Sequence, residues 1–228
     1  MRAWEFIDKE EVPDGEGTMF LMNRGREYAI HMNGRELMGN RAHGSEDALA
    51  DLACDRLARL DDARVLVGGL GMGFTLAAVL RRIGPEAATT VAELIPAIVR
   101  WNRDLLGRAS RHPLRDPRVS VHVGDVVDLI ATPPAPWSAI LLDVDNGPRA
   151  LTRSYNAWLY TDHGLQTAHA ALIDGGVLGV WSAAPDDAFT GALTRAGFEV
   201  EAITHTEPGR PTPDDSGDHF LWMARRRP

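Results

Sequence analysis

A glycine-rich run that directly follows a short apolar segment constrains the fold more than any other stretch of the chain. Val65-Leu66-Val67 has the composition of a buried strand, and Gly68-Gly69-Leu70-Gly71-Met72-Gly73 comes next. Glycine is required where a backbone turns tightly and lies close to a ligand. A helix that begins after such a turn directs its amino terminus at that ligand. The run predicts a strand, loop and helix unit that holds a ligand, although a packed turn without a ligand has the same pattern.

Strand and helix patterns alternate from Arg64 onward, which predicts a parallel sheet covered by helices on both faces. A proline- and acid-rich loop separates the last two strands, so we expect a closing antiparallel hairpin. The fold class is therefore α/β, with a Rossmann-like seven-stranded sheet. The predicted strands are residues 64–67, 89–93, 119–123, 139–142, 177–181, 198–203 and 219–225, and the predicted helices are 74–82, 96–106, 162–172, 185–196 and one that begins at Ser45.

The residues before Ser45 have a different pattern. Short apolar stretches at 18–23, 27–32 and 36–38 predict strands, and Asn33-Gly34 is a strong turn signal between two of them. We therefore divide the chain into a small β region, residues 1–43, and a Rossmann-like domain, residues 44–228.

Three consecutive predicted strands of the larger domain end in acidic residues. Glu93 follows the glycine loop at the spacing of a carboxylate that accepts hydrogen bonds from ribose hydroxyls. Asp125 is placed to reach an adenine amino group, and Asp143 closes the next strand. Each one alone has an alternative role as a helix cap or solvated loop residue. Together they predict an acidic crevice at the carboxyl edge of the sheet, where open α/β sheets bind ligands.

Other ligand classes fit the sequence poorly. Phe74 stands where a dinucleotide-binding loop needs its third glycine, and the loop lacks the Gly-Lys-Ser/Thr of a phosphate-binding loop. A net charge of −8 disfavours nucleic acid and anionic membranes as partners. Cys54 is the single cysteine, no apolar run has the length of a membrane span, and the scattered histidines predict no metal site. We expect a cytoplasmic protein without a metal.

The glycine loop, Glu93, Gly124-Asp125 and the strand that ends at Asp143 resemble the spermidine synthase family, as do Leu159-Tyr160-Thr161 and residues 172–177. Its members are aminopropyltransferases on the class I S-adenosylmethionine-dependent methyltransferase fold. The resemblance implies S-adenosylmethionine, or its decarboxylated form, as group donor, with a small amine as acceptor. Dimers are common in that family, so a homodimer is an expected assembly.

The resemblance also implies roles for individual residues. Glu93 would bind the ribose, Asp125 the adenine, and Asp143 would orient and deprotonate the attacking amine, with Asp145 as a second candidate for the base or as an anchor of the substrate. Asp145 and Asn146 also have the composition of a plain turn before Gly147-Pro148. The remaining predicted contacts are Gly69, Gly71, Met72 and Gly73 for the donor, and Glu46, Asn146, Tyr155 and Tyr160 for the acceptor.

The sequence also departs from the family pattern. Met72 stands where the family has an aspartate for the donor's amine, and Gly44-Ser45-Glu46 replaces a tyrosine-histidine-glutamate motif. Asp143-Val144-Asp145 replaces two adjacent aspartates before a proline. Aminopropyl transfer and methyl transfer therefore both remain open. A third alternative is a catalytically inactive binding module or regulator that keeps the fold.

Overall fold

The computed structural model describes residues 3–12, 17–144, 154–207 and 218–227, with the backbone alone at 154 and 155. Its first four strands form an antiparallel sheet in chain order. Asn33 and Gly34 both have positive φ, 52° and 76°, which suits the tight turn predicted there. The first strand was not predicted, because its residues alternate irregularly. The strands are β1 (Glu5–Glu11), β2 (Thr18–Arg24), β3 (Glu27–Met32) and β4 (Arg35–Gly39).

The second sheet has seven strands in the order β10-β11-β9-β8-β5-β6-β7. The pairs among β5 to β9 are parallel, whereas β11 runs antiparallel to both β9 and β10. This arrangement confirms the Rossmann-like sheet with a closing antiparallel hairpin. The strands are β5 (Arg64–Gly68), β6 (Ala88–Glu93), β7 (Val119–Val123), β8 (Trp137–Leu142), β9 (Leu172–Ser182), β10 (Phe198–Thr206) and β11 (Asp218–Arg226).

Helices cover both faces of this sheet. Leu49 of the first helix and Leu76 of the second pack in one core cluster, whereas Leu165 and Leu193 pack in a cluster on the opposite face. Neighbouring strand residues divide between the two clusters, as the alternation of a buried strand requires. The helices are α1 (Gly44–Asp55), α2 (Phe74–Arg82), α3 (Pro96–Arg103), α4 (Val126–Ala131), α5 (Asp162–Ala171) and α6 (Asp187–Arg195).

The predicted helices are confirmed, with shifted ends, and α4 is an addition. Helix α3 ends at Arg103 rather than near 106, where a short 3-10 turn begins. Strand β9 begins at Leu172, five residues before the predicted start. The six residues of α4 were not predicted because they are too few to display a helical repeat.

The smaller sheet packs on the face that carries α1 and α2. Met19, Leu21 and Ile30 of this sheet belong to the same core cluster as Val65 and Val67 of β5. The division at residues 43 and 44 stays a prediction. No helix in the described parts of the chain is both long and apolar enough to cross a membrane.

The chain changes direction across the sheet at β5. Strands β6 and β7 follow on one side of β5, and β8 and β9 follow on the other. A crevice forms outside the carboxyl ends of the strands at such a switch point. The glycine loop after β5 and Asp143 after β8 both lie there.

Candidate active site

A cavity opens at the carboxyl edge of the large sheet, between the glycine loop and the smaller sheet. The glycine loop, Glu93, Asp125 and Asp143 all contribute to its wall. Glu46 is the other charged residue there, so the charged side chains among the described lining residues are all carboxylates. Such a wall creates a negative potential, which favours a cationic ligand.

The glycine loop lies close to the neighbouring backbone. The Gly69 amide donates to the carbonyl of Ala92 at 2.8 Å. Gly69 has a φ of +86°, and a Cβ there would lie 2.2 Å from the carbonyl oxygen of Asp143. Gly73, with a φ of 84°, is the residue from which α2 begins. Glycine is therefore required at 69 both by backbone conformation and by the approach of β8.

Asn102 of α3 connects this helix to the glycine loop by hydrogen bonds. Its Nδ2 donates to the carbonyl of Gly71 at 2.8 Å and to that of Ile98 at 3.0 Å. The side chain is almost wholly buried. Sequence reasoning missed this residue, because an asparagine in the last turn of a helix gives no local sign of its distant partner.

Glu93 is fixed by two backbone amides at the end of β6. Its Oε2 accepts from the Leu70 amide at 3.0 Å, and its Oε1 accepts from the Ile95 amide at 2.8 Å. Only 6% of the residue is exposed. The carboxylate thus joins the glycine loop to the start of α3, and the residue lines the cavity. Its predicted ribose contact stays a prediction.

Asp125 caps α4 and lines the cavity at the same time. Its Oδ1 accepts from the Val127 amide at 2.9 Å, the usual bond of a helix N-cap. The backbone amide of Gly124 donates to the carbonyl of Glu93, which ties the ends of β6 and β7 together. The predicted adenine contact of Asp125 stays a prediction.

Asp143 follows the last residue of β8 and is half-buried. Its Oδ2 accepts a hydrogen bond from the Thr75 hydroxyl at 2.7 Å, and its amide donates to the carbonyl of Gly68 at 2.9 Å. Both contacts link β8 to the glycine loop and the first turn of α2. Asp143 and the loop are therefore adjacent. The predicted catalytic role of Asp143 stays a prediction.

Trp181 lies beside Asp143 on the neighbouring strand. Leu142 pairs with Val180 in parallel register, and the next residue of each strand lines the cavity. The indole packs against the ring of His219 with 5.0 Å between centroids.

Glu46 approaches from the first turn of α1, where its Oε2 accepts from the Ser45 hydroxyl at 2.6 Å. Glu46 and Trp181 thus occupy the side of the cavity away from Asp125.

The smaller sheet supplies an apolar wall that was not predicted. Leu37 is part of it, and so are three methionines of that sheet; Met72 of the glycine loop lines the same cavity. Only the fold brings them there, since they lie 30 or more residues before the loop in the sequence. The three methionines are Met19, Met32 and Met38.

The remaining predicted acceptor contacts have different outcomes. Tyr160 packs edge-on against Phe189, with 5.6 Å between the ring centroids, in the cluster on the opposite face of the sheet, and is not among the cavity-lining residues described. Asp145 and Asn146 lie outside the described residues, and so does the side chain of Tyr155. Asn156, which was not predicted, does line the cavity, and its Nδ2 donates to the carbonyl of Val144 at 3.4 Å.

No group of three or more histidine, cysteine, aspartate or glutamate side chains in the described ranges is arranged to hold a metal ion. The acidic and apolar wall does suit a nucleoside sulfonium. Glu93 and Asp125 offer carboxylate oxygens to hydroxyl and amino groups, and the methionine-rich wall offers contact to apolar atoms.

Comparison with solved structures gives spermidine synthases. The chain superimposes on the enzyme from Thermotoga maritima with a TM-score of 0.75 and 18% identity, covering 97% of this chain and 72% of the other. A spermidine synthase in complex with the transition-state analogue AdoDATO gives a TM-score of 0.74, 18% identity and the same coverages. A probable spermidine synthase from Corynebacterium glutamicum ATCC 13032 gives a TM-score of 0.67 and 19% identity. The match covers 97% of this chain and 79% of the other.

No family model matches the chain, and none of the curated proteins matches it in sequence. The structural likeness therefore shows the fold, and it does so along nearly the whole chain. This chain has a spermidine synthase-like fold, as its glycine loop and strand-end carboxylates predicted.

Proposed function

We propose that this protein is a spermidine synthase-like transferase, which moves an alkyl group from S-adenosylmethionine or its decarboxylated form to a small amine. The observation that carries the proposal is the composition of one cavity. Asp125, Glu93, the glycine loop and Asp143 line it, each at the end of a different strand. The strands that bear them are adjacent in the sheet, in the order β7-β6-β5-β8.

This order suggests how a donor would lie. Asp125 is positioned to accept from an adenine amino group, and Glu93, one strand along, from the ribose hydroxyls. The sulfonium would then lie at the glycine loop, next to Asp143. Glu46 and Trp181 come after Asp143 in the same direction, so we assign them to the acceptor side.

The bound donor supplies an electrophilic carbon on a positively charged sulfur, and the protein's own contribution is positioning and proton transfer. An amine attacks only in its neutral form, so Asp143 is assigned to accept the proton that the ammonium loses. Its half-buried place beside the loop supports this role. Glu46 and the aromatic surface of Trp181 offer a cationic acceptor further attraction.

Aminopropyl transfer is the first candidate for the reaction. The structural neighbours are spermidine synthases, and one of them binds a transition-state analogue. In addition, the charged residues described in the cavity are all acidic, so none of them would pair with the carboxylate of intact S-adenosylmethionine. Both observations favour the decarboxylated donor.

Methyl transfer is the second candidate, and Met72 favours it. This residue lines the cavity with a buried thioether, which is not a counter-ion for the amine of an aminopropyl group. An inactive binding protein would retain donor affinity without turnover. A cytoplasmic location, a homodimer and the contacts of Asp145, Asn146, Tyr155 and Tyr160 remain predictions from the sequence.

Donor binding and product identity separate these candidates. We expect calorimetric titration to show binding of a nucleoside sulfonium and no binding of NAD. Turnover of the decarboxylated donor with a diamine to methylthioadenosine would establish aminopropyl transfer, whereas S-adenosylhomocysteine as product would establish methyl transfer. A protein that binds none of S-adenosylmethionine, its decarboxylated form and methylthioadenosine would contradict the proposal.

We predict that Asp143→Asn abolishes turnover while donor affinity stays within about threefold, because this substitution removes the proton acceptor but keeps the side chain's shape. Single-turnover rates and donor titrations of the same preparation measure the two effects. Full activity of the variant would remove Asp143 from the chemistry.

A further inference from the structure

Thr75 makes a direct contact with the carboxylate that we assign to proton transfer. Its hydroxyl donates to Oδ2 of Asp143 across 2.7 Å, a short bond of the kind that a charged acceptor makes. Thr75 is the second residue of α2 and only 3% of it is exposed. It does not line the cavity among the described residues, so it would act on a substrate only through Asp143.

The surroundings of Asp143 explain why such a donor matters. Three other carboxylates face the same cavity, those of Glu46 on α1, Glu93 on β6 and Asp125 before α4. A carboxylate that lies near others of like charge gains from a hydrogen-bond donor that favours its ionised form. The Thr75 hydroxyl, in the first turn of α2, adds a hydrogen-bond donor to Asp143 within this group of carboxylates.

The backbone holds both partners of this bond in place. The Asp143 amide donates to the carbonyl of Gly68, and Gly69 lacks the Cβ that would push the end of β8 away. Gly73 then starts α2 so that Thr75 follows within its first turn. The hydroxyl thus meets an aspartate whose main chain is already fixed, and it restricts the rotation of the carboxylate.

We propose that Thr75 is a positioning residue. Its hydroxyl orients the Asp143 carboxylate toward the acceptor amine and favours the charged form of this carboxylate. This inference rests on the proposed function for its effect on catalysis. The effect on the carboxylate itself belongs to the ligand-free protein and is measurable without any donor.

The test replaces the hydroxyl by a methyl group of similar size in Thr75→Val and restores it in Thr75→Ser. Thr89→Val is the matched control, because Thr89 on β6 is as buried as Thr75 and has a hydroxyl without a hydrogen-bond partner in the structure. Carbon-13 NMR of the aspartate carboxyl groups, with Asp143→Asn for assignment, follows the titration of Asp143. We expect Asp143 to titrate at higher pH in Thr75→Val and as in wild type in the other two variants.

Turnover supplies the second measurement. Loss of a hydrogen bond to a charged group predicts a fall in kcat of roughly 10- to 100-fold in Thr75→Val, with donor affinity and acceptor KM nearly unchanged. Thr75→Ser should recover most of this rate. A merely structural role would lower the stability of the variant and leave both kcat and the carboxyl titration unchanged.

The outcomes separate the two proposals. If Asp143 titrates identically in wild type and Thr75→Val, the inference about Thr75 is overturned whatever the protein's activity. If the titration shifts but wild type binds no nucleoside sulfonium, the proposed function fails while the electrostatic role of Thr75 stands. If the titration shifts and wild type turns over, an unchanged kcat in Thr75→Val overturns the catalytic part.

Discussion

Among single residues, Glu93 combines a structural task with the ribose contact that we propose for it. Each of its oxygens accepts a backbone amide, one from Leu70 in the glycine loop and one from Ile95 before α3. A ligand hydroxyl would have to share these oxygens, which can each accept more than one hydrogen bond. The ribose site would therefore be ordered before the donor arrives.

We predict that Glu93→Ala weakens donor binding by about 1–3 kcal/mol and also lowers the free energy of unfolding, because two buried amides lose their acceptor. Calorimetry and urea denaturation measure the two effects. Glu93→Gln, which keeps one acceptor oxygen, should have a smaller effect on both. Unchanged donor affinity in the alanine variant would exclude Glu93 from the donor site.

Gly69 and Gly34 allow backbone strain to be separated from steric overlap. Both have positive φ, +86° and +76°, but a Cβ at 34 meets nothing within 4 Å, whereas one at 69 would overlap the Asp143 carbonyl. We expect Gly34→Ala to cost about 1–2 kcal/mol of stability from φ alone. Gly69→Ala should cost more and also weaken donor binding, as denaturation and titration would show. Equal losses in the two variants would mean that the loop relaxes away from β8.

At the scale of elements, α2 is held at both ends by side chains or backbone from elsewhere in the fold. Its first turn contacts β8 through Thr75. At its last turn Arg118, just before β7, donates to the carbonyls of Leu80, Ile83 and Gly84 at 2.8–3.2 Å. Arg118 also pairs with Asp116, and this bond holds the pKa of Asp116 below its ordinary value. A cation at a helix carboxyl end satisfies carbonyls that the helix leaves open.

We predict that Arg118→Ala lowers the free energy of unfolding by about 2 kcal/mol, because several carbonyls lose a charged donor at once. Arg59→Ala is the control. Arg59 forms an exposed ion pair with Asp62, so its loss should cost less than about 0.5 kcal/mol. Chemical denaturation of both variants measures the difference, and similar values for the two would show that the contacts of Arg118 contribute little.

The elements themselves were largely predictable, because strand and helix patterns repeat locally. Regular apolar stretches such as residues 64–67 and 119–123 matched the strands found there. Helix α4 was missed because six residues span fewer than two turns.

In the candidate site, the positions of the glycines and carboxylates were predictable from spacing along single strand-to-helix units. Thr75 and Asn102 were not, since their partners Asp143 and Gly71 belong to other units. Tyr160 packs on Phe189 and is not among the cavity-lining residues described.

At the scale of the whole molecule, the two sheets are joined beside the cavity by polar contacts as well as apolar packing. Asp8 of β1 accepts from Nε1 of Trp101 at 2.7 Å and from Arg100 at 3.1 Å, both on α3. These hydrogen bonds lower the pKa of Asp8 from its ordinary value of 3.8, the Trp101 bond first. Because α3 begins just after Glu93, this contact connects the smaller sheet to the side of the cavity that Glu93 lines.

The lowered pKa predicts how this contact depends on pH. A carboxylate with a depressed folded-state pKa stabilises the fold above its unfolded-state pKa, and this contribution is lost as the pH falls through the folded-state value. We expect Asp8→Asn to be less stable than wild type near neutral pH and equally stable well below pH 3.8. Asp62→Asn should differ little from wild type across the range. A difference in the free energy of unfolding between Asp8→Asn and wild type that is the same at every pH would contradict the prediction.

The methionines that line the cavity give its apolar wall a particular mechanical character. Their side chains are unbranched and have three rotatable bonds, so they adapt to irregular space by changing rotamer. The four residues are Met19, Met32, Met38 and Met72. The carboxylates, in contrast, are fixed by backbone amides, a hydroxyl or a helix start. The part of the cavity lined by carboxylates would thus be rigid, and the part lined by methionines deformable. Substitutions that replace these methionines with stiffer, branched side chains would narrow the range of ligand shapes that the cavity admits. The contacts made by the carboxylates would stay unchanged.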